Sequence, residues 1–416
     1  MAKSKLRVLQ INKYHYLKGG SDRIYLETSE MLTEHGHIVS HFSTKNPKNQ
    51  PSKTSQYFVD PPDFTNSSIY QKLKLVPSYL YSSKSEKLLS KLIEKEQPDI
   101  AHIHIFFGEL SLSVLSTLKR YHIPIVMTLH DFKLLCPIHS LYDQENHICE
   151  RCSNGRYYHA IKKKCNKKTL SLSTISALES YVRDIFIPYE SYINHFIAVS
   201  EFTFNKHLQF KTKLTDKISI LHNFTKQNNA SYANLKSDYF IYFGRLSREK
   251  GLNNLIQAFA KFPSISLYIV GEGPEESKLK QHAKFLNIQN VTFLGYKNDP
   301  ELEKLIGNAR FSIFPSESYE SFGLGIVESF TLGTPVLASA IGGMKELIKN
   351  DITGFLFEPS NPVQLQFAIS KASSITEVHY ENMVREAQQI SGKFSKENHY
   401  KQLISLYHTI IDSNEN

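Results

Sequence analysis

The strongest constraint on this chain is a serial alternation of short apolar runs and helical patterns. The runs fall at 7–11, 38–43, 100–106, 125–129 and 196–199, then at 239–243, 266–270, 291–294, 311–314 and 335–338. Several end in Gly or Pro turns, and apolar residues recur at helical spacing between them, as at Leu88, Leu89, Leu92 and Ile93. Strands separated by helices predict parallel sheets joined by right-handed crossovers. A chain of 416 residues exceeds one ordinary core. The expectation is therefore an α/β protein of two doubly wound, Rossmann-like domains facing a central cleft. Residues 1–225 form the first and 226–394 the second, joined near the polar stretch 225–237. A last helix, within 395–416, carries Leu403, Leu406 and Ile410 at helical spacing and is expected to pack back on the first domain.

Charge separates the halves. Residues 1–225 hold 30 Lys+Arg against 20 Asp+Glu, a net +10; the remainder holds 19 against 20, a net −1. A basic half suits a phosphate-bearing acceptor or an anionic bilayer surface, although solvated lysines give the same count. No stretch reaches the roughly 18 apolar residues of a membrane span. The apolar core at 8–11 is too short for a signal peptide. A cytoplasmic protein is expected, with a peripheral place at the inner face of the membrane as the other option.

In open parallel sheets ligands bind beyond the C-terminal strand ends. Gly244-Arg245 and Lys250-Gly251 follow the 239–243 run, a planar fork and a point charge suited to a diphosphate. Glu320 and Glu328 bracket Gly323 and Gly325. The glycines break the helical register, which puts Glu320 in a loop and Glu328 in a first helical turn, with loop amides toward anionic oxygens. A dipole-satisfying helix glutamate and a surface glutamate would give the same letters. Gly271-x-Gly273 lacks the third glycine of a dinucleotide fingerprint and reads as a turn with close backbone approach. His130 ends the 125–129 run; His102 and His104 share one strand face and read as packing residues. Gly19-Gly20 follows the first run and lets backbone approach a ligand, or is a plain turn.

Cys136, Cys149, Cys152 and Cys165 are the chain's four cysteines, spaced C-x12-C-x2-C-x12-C. Four thiolates make a closed tetrahedral structural zinc site; free thiols and redox chemistry are the other accounts. A zinc-bearing nucleic-acid binder would need interleaved aromatic and basic residues, and only Arg156-Tyr157-Tyr158 approaches that. No nucleic-acid partner is expected.

The ordered set GRLSREKG, GEGP, PSESYESFGLGIVES and GTPVLASAIGGMKELI resembles glycosyltransferase family 4, of the GT-B fold. GGSDRIYLETSEMLTEHGHIV, PDIAHIH, TLHDF and IAVSE match more loosely, and the cysteine stretch looks like an insert found in a subset of the family. The resemblance implies a retaining transferase without a catalytic metal. It would move a sugar from a nucleotide-diphosphate donor, UDP- or GDP-linked, to a hydroxyl of a glycan or lipid-linked acceptor in polysaccharide biosynthesis. Arg245 and Lys250 would hold the diphosphate, with Gly244 beside them, and Glu328 the ribose. Glu320 would contact the sugar, with His130; Ser321 and the amides of Phe322, Gly323 and Leu324 would bind sugar and phosphate. Gly20 would approach phosphate or acceptor. Ser321 departs from the Gly or Pro frequent there. An epimerase or hydrolase on the same fold is the alternative.

Overall fold

A computed structural model describes residues 5–62, 69–226 and 237–415. Strands β1 (Arg7–Ile11), β2 (Ile38–Phe42), β3 (Ile100–Ile103), β4 (Ile125–Leu129), β5 (His195–Ala198) and β6 (Ile218–Ile220) form one sheet, ordered β2-β1-β3-β4-β5-β6. Strands β7 (Ser237–Phe243), β8 (Ser266–Val270), β9 (Val291–Gly295), β10 (Ala309–Phe314), β11 (Val336–Ser339) and β12 (Gly354–Phe357) form the other, ordered β12-β11-β10-β7-β8-β9. Every strand pairing is parallel. Parallel strands covered on both faces read as continuous apolar runs, and all five residues of β4 are buried.

Some bounds differ from those read in the sequence. β3 stops at Ile103, because the Ile105 N–H turns to Asn12 Oδ1 (3.0 Å) and leaves the ladder. β12 was not foreseen, since it opens on a glycine. A side chain at Gly354 would lie 1.8 Å from the Val336 carbonyl oxygen, so close strand approach demands glycine there. Of the expected join, 227–236 lies outside the described residues.

The first sheet has two apolar faces. Leu9, Ile11, Ala101 and Ile103 point to one; Val8, Ile100, Val126 and Ile197 point to the other. The second face is covered partly by the helix Gly20–Glu34 and partly by Leu403, Ile404, Tyr407 and Ile410 of the last helix, Lys396–Glu415. That helix begins where Thr225 and Ser395 form a parallel bridge, so the chain passes twice between the sheets at one place. Among the described residues, no helix is long and apolar enough to cross a membrane.

In each sheet the chain reverses its direction of growth once. The first reverses between β1 and β3, the second between β7 and β10. Loops leaving adjacent strands diverge at such a point and open a crevice. The segments after β1, β7 and β10 are therefore the ones positioned to meet a ligand.

Candidate functional site at the switch points

After β7 the chain turns through Gly244 (φ 143°) and Arg245 into the short turn Arg248–Lys250. Gly271 closes against this turn from β8: a side chain there would lie 2.0 Å from the Gly244 carbonyl oxygen. The GxG pair thus serves close backbone approach. After β10 the loop carries Ser316 and Glu320. Lys250 Nζ lies 2.5 Å from Glu320 Oε1, and Ser316 Oγ donates to the same oxygen at 2.7 Å. The Glu320 carbonyl accepts from the Gly343 N–H at 2.8 Å, and Gly342 packs so closely that a side chain would lie 2.3 Å from it. Burial favours the neutral Glu320 carboxyl, but the Lys250 charge and the hydrogen bonds outweigh it and hold its pKa below the ordinary value. Burial likewise opposes the Lys250 charge; Glu320 reverses the balance and raises its pKa. Arg245 is exposed, stands near enough to oppose the Lys250 charge, and makes no side-chain hydrogen bond or ion pair with any described residue.

Gly323 (φ 118°) starts the helix Leu324–Thr331. The helix begins at Leu324, so Glu328 sits in its second turn and not in the first, where the sequence placed it. Glu328 faces Arg23 of the helix Gly20–Glu34, Nη1 to Oε1 3.3 Å, and Arg23 Nη2 lies 2.9 Å from Asp299 Oδ1. Burial raises the Glu328 pKa; Arg23 works against the rise, and Asp299 and Glu303 add to it. Glu320 and Glu328 therefore have separate partners on the two flanks of one glycine-containing segment.

The same segment touches the first sheet's domain. A side chain at Gly20 would lie 3.1 Å from Leu324 Cδ1. The Ser321 carbonyl accepts from Ser200 Oγ at 2.6 Å and Thr203 Oγ1 at 3.0 Å. Phe322 is buried, its ring against His222 and Phe394. Glu346 accepts from the Glu201 N–H at 2.8 Å and from the Phe202 N–H.

His130, at the end of β4, belongs to a row of stacked imidazoles. Its Nε2 shares a hydrogen bond with His104 Nδ1 (2.8 Å), and His104 stacks on His102 at 4.3 Å between centroids. His102 is held by Tyr407 and Thr128. Burial lowers the His130 pKa to about 3, so the ring is neutral near pH 7. It lines a small pocket with Thr128 and Asp131. No contact between described residues joins His130 to the Lys250–Glu320 pair.

The four cysteines are free thiols, with Cys136, Cys152 and Cys165 buried. Cys152 and Cys165 share one apolar cluster, and Ile138 links it to the cluster holding Cys136. The Ile138 and Leu141 amides donate to the Cys136 sulfur and the Ala160 amide to the Cys152 sulfur, a donor pattern that suits thiolates around a cation. The sulfurs do not form a tight group. Among the described residues, the trio whose ligand atoms lie within 4.8 Å of one another is Asp143, Glu145 and His147, and Lys163 Nζ pairs with two of these. The cysteine-bearing segment braces the second domain: Arg248 donates to the Gln144 and Asp143 carbonyls (3.0 and 2.7 Å), Tyr142 to Glu317 (3.2 Å) and Tyr319 to Glu150 (3.0 Å).

Arg23, Asp299, Ser316, Ser200 and Thr203 were not anticipated. Ser200 had a local signal, a serine capping the helix that starts at Glu201. Arg23 and Asp299 lie 276 positions apart, and nothing in either neighbourhood announces the other.

The profile of Glycosyltransferase Family 4 matches residues 18–226, and that of Glycosyl transferases group 1 matches 223–390. An uncharacterized glycosyltransferase of Methanocaldococcus jannaschii, MJ1607, is 31% identical over 172 residues, 40% of this chain and 44% of that protein. The chain thus matches less than half of that relative's length. The N-acetyl-alpha-D-glucosaminyl L-malate synthase of Bacillus anthracis is 22% identical over 406 residues, 96% of each chain. Among solved structures, a glycosyltransferase from Rickettsia africae superposes with TM-score 0.70 at 19% identity, covering 98% of this chain and 99% of that one. Anabaena HepE in complex with UDP-glucose superposes with TM-score 0.67 at 19% identity, covering 97% and 100%. The structural likenesses establish the fold, and the profile over residues 18–226 establishes the family. The chain belongs to glycosyltransferase family 4: an enzyme of the glycosyltransferase type, with the GT-B fold.

Proposed function

We propose that this protein transfers a sugar, with retention, from a nucleotide-diphosphate donor to a hydroxyl of a glycan or lipid-linked acceptor. The observation that carries the reading is the switch point of the second sheet, where Lys250 pairs with Glu320 and the exposed Arg245 stands beside them without a partner among the described residues. A diphosphate entering there meets two cations, and Glu328 is one turn away on the neighbouring helix for a ribose. The partly exposed helix start at Gly323 and Leu324 adds amide donors.

In this mechanism the acceptor hydroxyl attacks the anomeric carbon from the face that the nucleoside diphosphate leaves. The departing phosphate oxygen takes the hydroxyl proton. Charge accumulates on that oxygen as the glycosidic bond breaks, and Arg245 and Lys250 are preorganised to stabilise it. They fill the role of a divalent ion, so turnover is expected without added magnesium or manganese. Glu320, kept ionised by Lys250, stabilises positive charge developing on the sugar ring. His130, neutral, offers hydrogen bonding and not proton donation.

We propose the four cysteines as ligands of a structural zinc, which requires their sulfurs to draw closer than they stand here and would leave no position for substrate. The basic first domain supports a phosphate-bearing or lipid-linked acceptor, as in polysaccharide assembly at the inner membrane face.

Thermal-shift screening against UDP- and GDP-sugars, followed by product analysis with candidate acceptors, tests the reading. HepE was crystallised with UDP-glucose, which makes uridine donors the first to try. Stabilisation by one nucleotide class with acceptor-dependent release of nucleoside diphosphate is the expected result. Free or epimerised sugar formed equally well without acceptor would replace transfer by hydrolysis or epimerisation.

A further inference from the structure

The helix Leu170–Phe186 packs the opposite way round from an ordinary surface helix. Its buried residues are Ser173, Ser176, Ala177, Glu179, Ser180 and Arg183. Arg183 is fully buried and donates to Tyr157 Oη (2.9 Å), Asp184 Oδ1 (2.7 Å) and the Lys133 carbonyl (2.9 Å); Glu179 pairs with Lys133 at 2.6 Å. The polar face is therefore fixed inward. The large apolar residues point out: Leu170 is 55% exposed, Leu178 40%, Ile185 68% and Phe186 71%. At ~100° per residue they fall on one continuous arc of about 160°. Tyr181 and Val182, on the same arc, pack partly against buried clusters, while the four named residues stand exposed.

Charge accompanies this stripe. Lys162, Lys164, Lys167 and Lys168, just before the helix, are exposed or near the surface and form no ion pair with any described residue. Their loop is tied to the helix, because the Asn166 N–H donates to Ser173 Oγ and Asn166 Nδ2 to Ser176 Oγ, both at 2.9 Å. The lysines are thus held beside the first turn. Past the last turn, an open groove is lined by Lys211, Lys213 and Lys217 with Ile187 and Tyr189; Asp184 and Glu190 also line it and pair with Lys211 (3.2 Å) and Lys213 (3.5 Å). A neighbouring helix, Ile69–Leu80, adds exposed Tyr70 and Lys74.

We propose that this face is the surface by which the protein docks on an anionic lipid bilayer, the helix lying in the interface with Leu178, Ile185 and Phe186 among the acyl chains. Apolar residues on one arc with lysines at their margins are what an interfacial helix requires. A second copy of the chain is the poorer occupant, since pairing this face with itself brings unpaired lysines toward lysines. The proposal rests on the reading of this domain as the acceptor side, because a lipid-linked acceptor is met at a bilayer.

The test is co-sedimentation of the full chain with vesicles of phosphatidylcholine alone and of equal parts phosphatidylcholine and phosphatidylglycerol. Two variants accompany it: Leu178→Gln/Ile185→Gln/Phe186→Gln, and Lys164→Glu/Lys167→Glu/Lys168→Glu. The wild type should partition onto the anionic vesicles only, and each variant should lose about tenfold or more of that binding. Both variants should keep the wild-type thermal shift with the nucleotide donor. Donor binding without vesicle binding overturns this surface and leaves the transferase reading standing. Vesicle binding without any donor shift does the reverse. Equal binding by the glutamine variant, or a dimer that this variant abolishes, also overturns the proposal.

Discussion

Arg23 and Glu328 come from different domains and meet at 3.3 Å, with Asp299 holding the other end of the guanidinium at 2.9 Å. If Glu328 takes a donor ribose, Arg23 competes for the same carboxylate. Arg23→Ala should then tighten nucleoside-diphosphate binding by about 2- to 5-fold, the worth of a partly exposed ion pair. Isothermal titration checks this, and an unchanged or weaker affinity would count against the competition.

The two cations after β7 are expected to separate by stability. Arg245→Ala should lower kcat on the order of 10²–10³ with Tm unchanged, because Arg245 is exposed and makes no side-chain hydrogen bond or ion pair with any described residue. Lys250→Ala should lower kcat comparably and also cost about 1–2 kcal/mol of stability, since it strands Glu320. Equal Tm values for the two variants would contradict the ion pair.

Glu27 lies behind Arg23, and its burial lifts its pKa to about 7 from an ordinary 4.5, against the pull of Arg23 and Lys226. The folded protein therefore holds this proton more tightly than the unfolded chain. Stability should fall as pH rises from 4.5 through about 7 and change little from this source above that. Glu27→Gln should remove the fall, giving a Tm a few degrees above wild type at pH 8 and no difference near pH 4.5. A gap that widens toward acid would show the sign to be wrong.

Purified protein should carry one zinc per chain by elemental analysis, and Cys152→Ser should lose it. Chelation should lower Tm and weaken donor binding together, because Arg248 and Glu317 are braced by the cysteine-bearing segment. Metal-free protein with wild-type Tm and donor affinity would remove the assignment.

Local chemistry made much of this legible. Parallel strands joined by crossovers were legible from runs whose ends are marked by Gly and Pro, and those ends carry Arg245, Lys250 and Glu320, whereas the order of the strands comes from the structure. Pairings across the cleft were not legible. Arg23 finds Asp299 only because two sheets are packed together. Glu328 was set one turn too shallow, because Gly323 starts the helix in a left-handed conformation that letters alone do not announce. The orientation of Leu170–Phe186 was hidden for a similar reason: periodicity gives a helix two faces and does not say which one is inside.

The last helix has a consequence for biogenesis. Leu6, Val8 and Ile24 of the first domain share a core with Leu403, Tyr407 and Ile410, which follow the whole second domain in sequence. During synthesis the first-made domain waits with one flank of its sheet bare while the second domain emerges and closes. Without that last helix the flank stays bare, so its loss injures the half of the protein that was translated first.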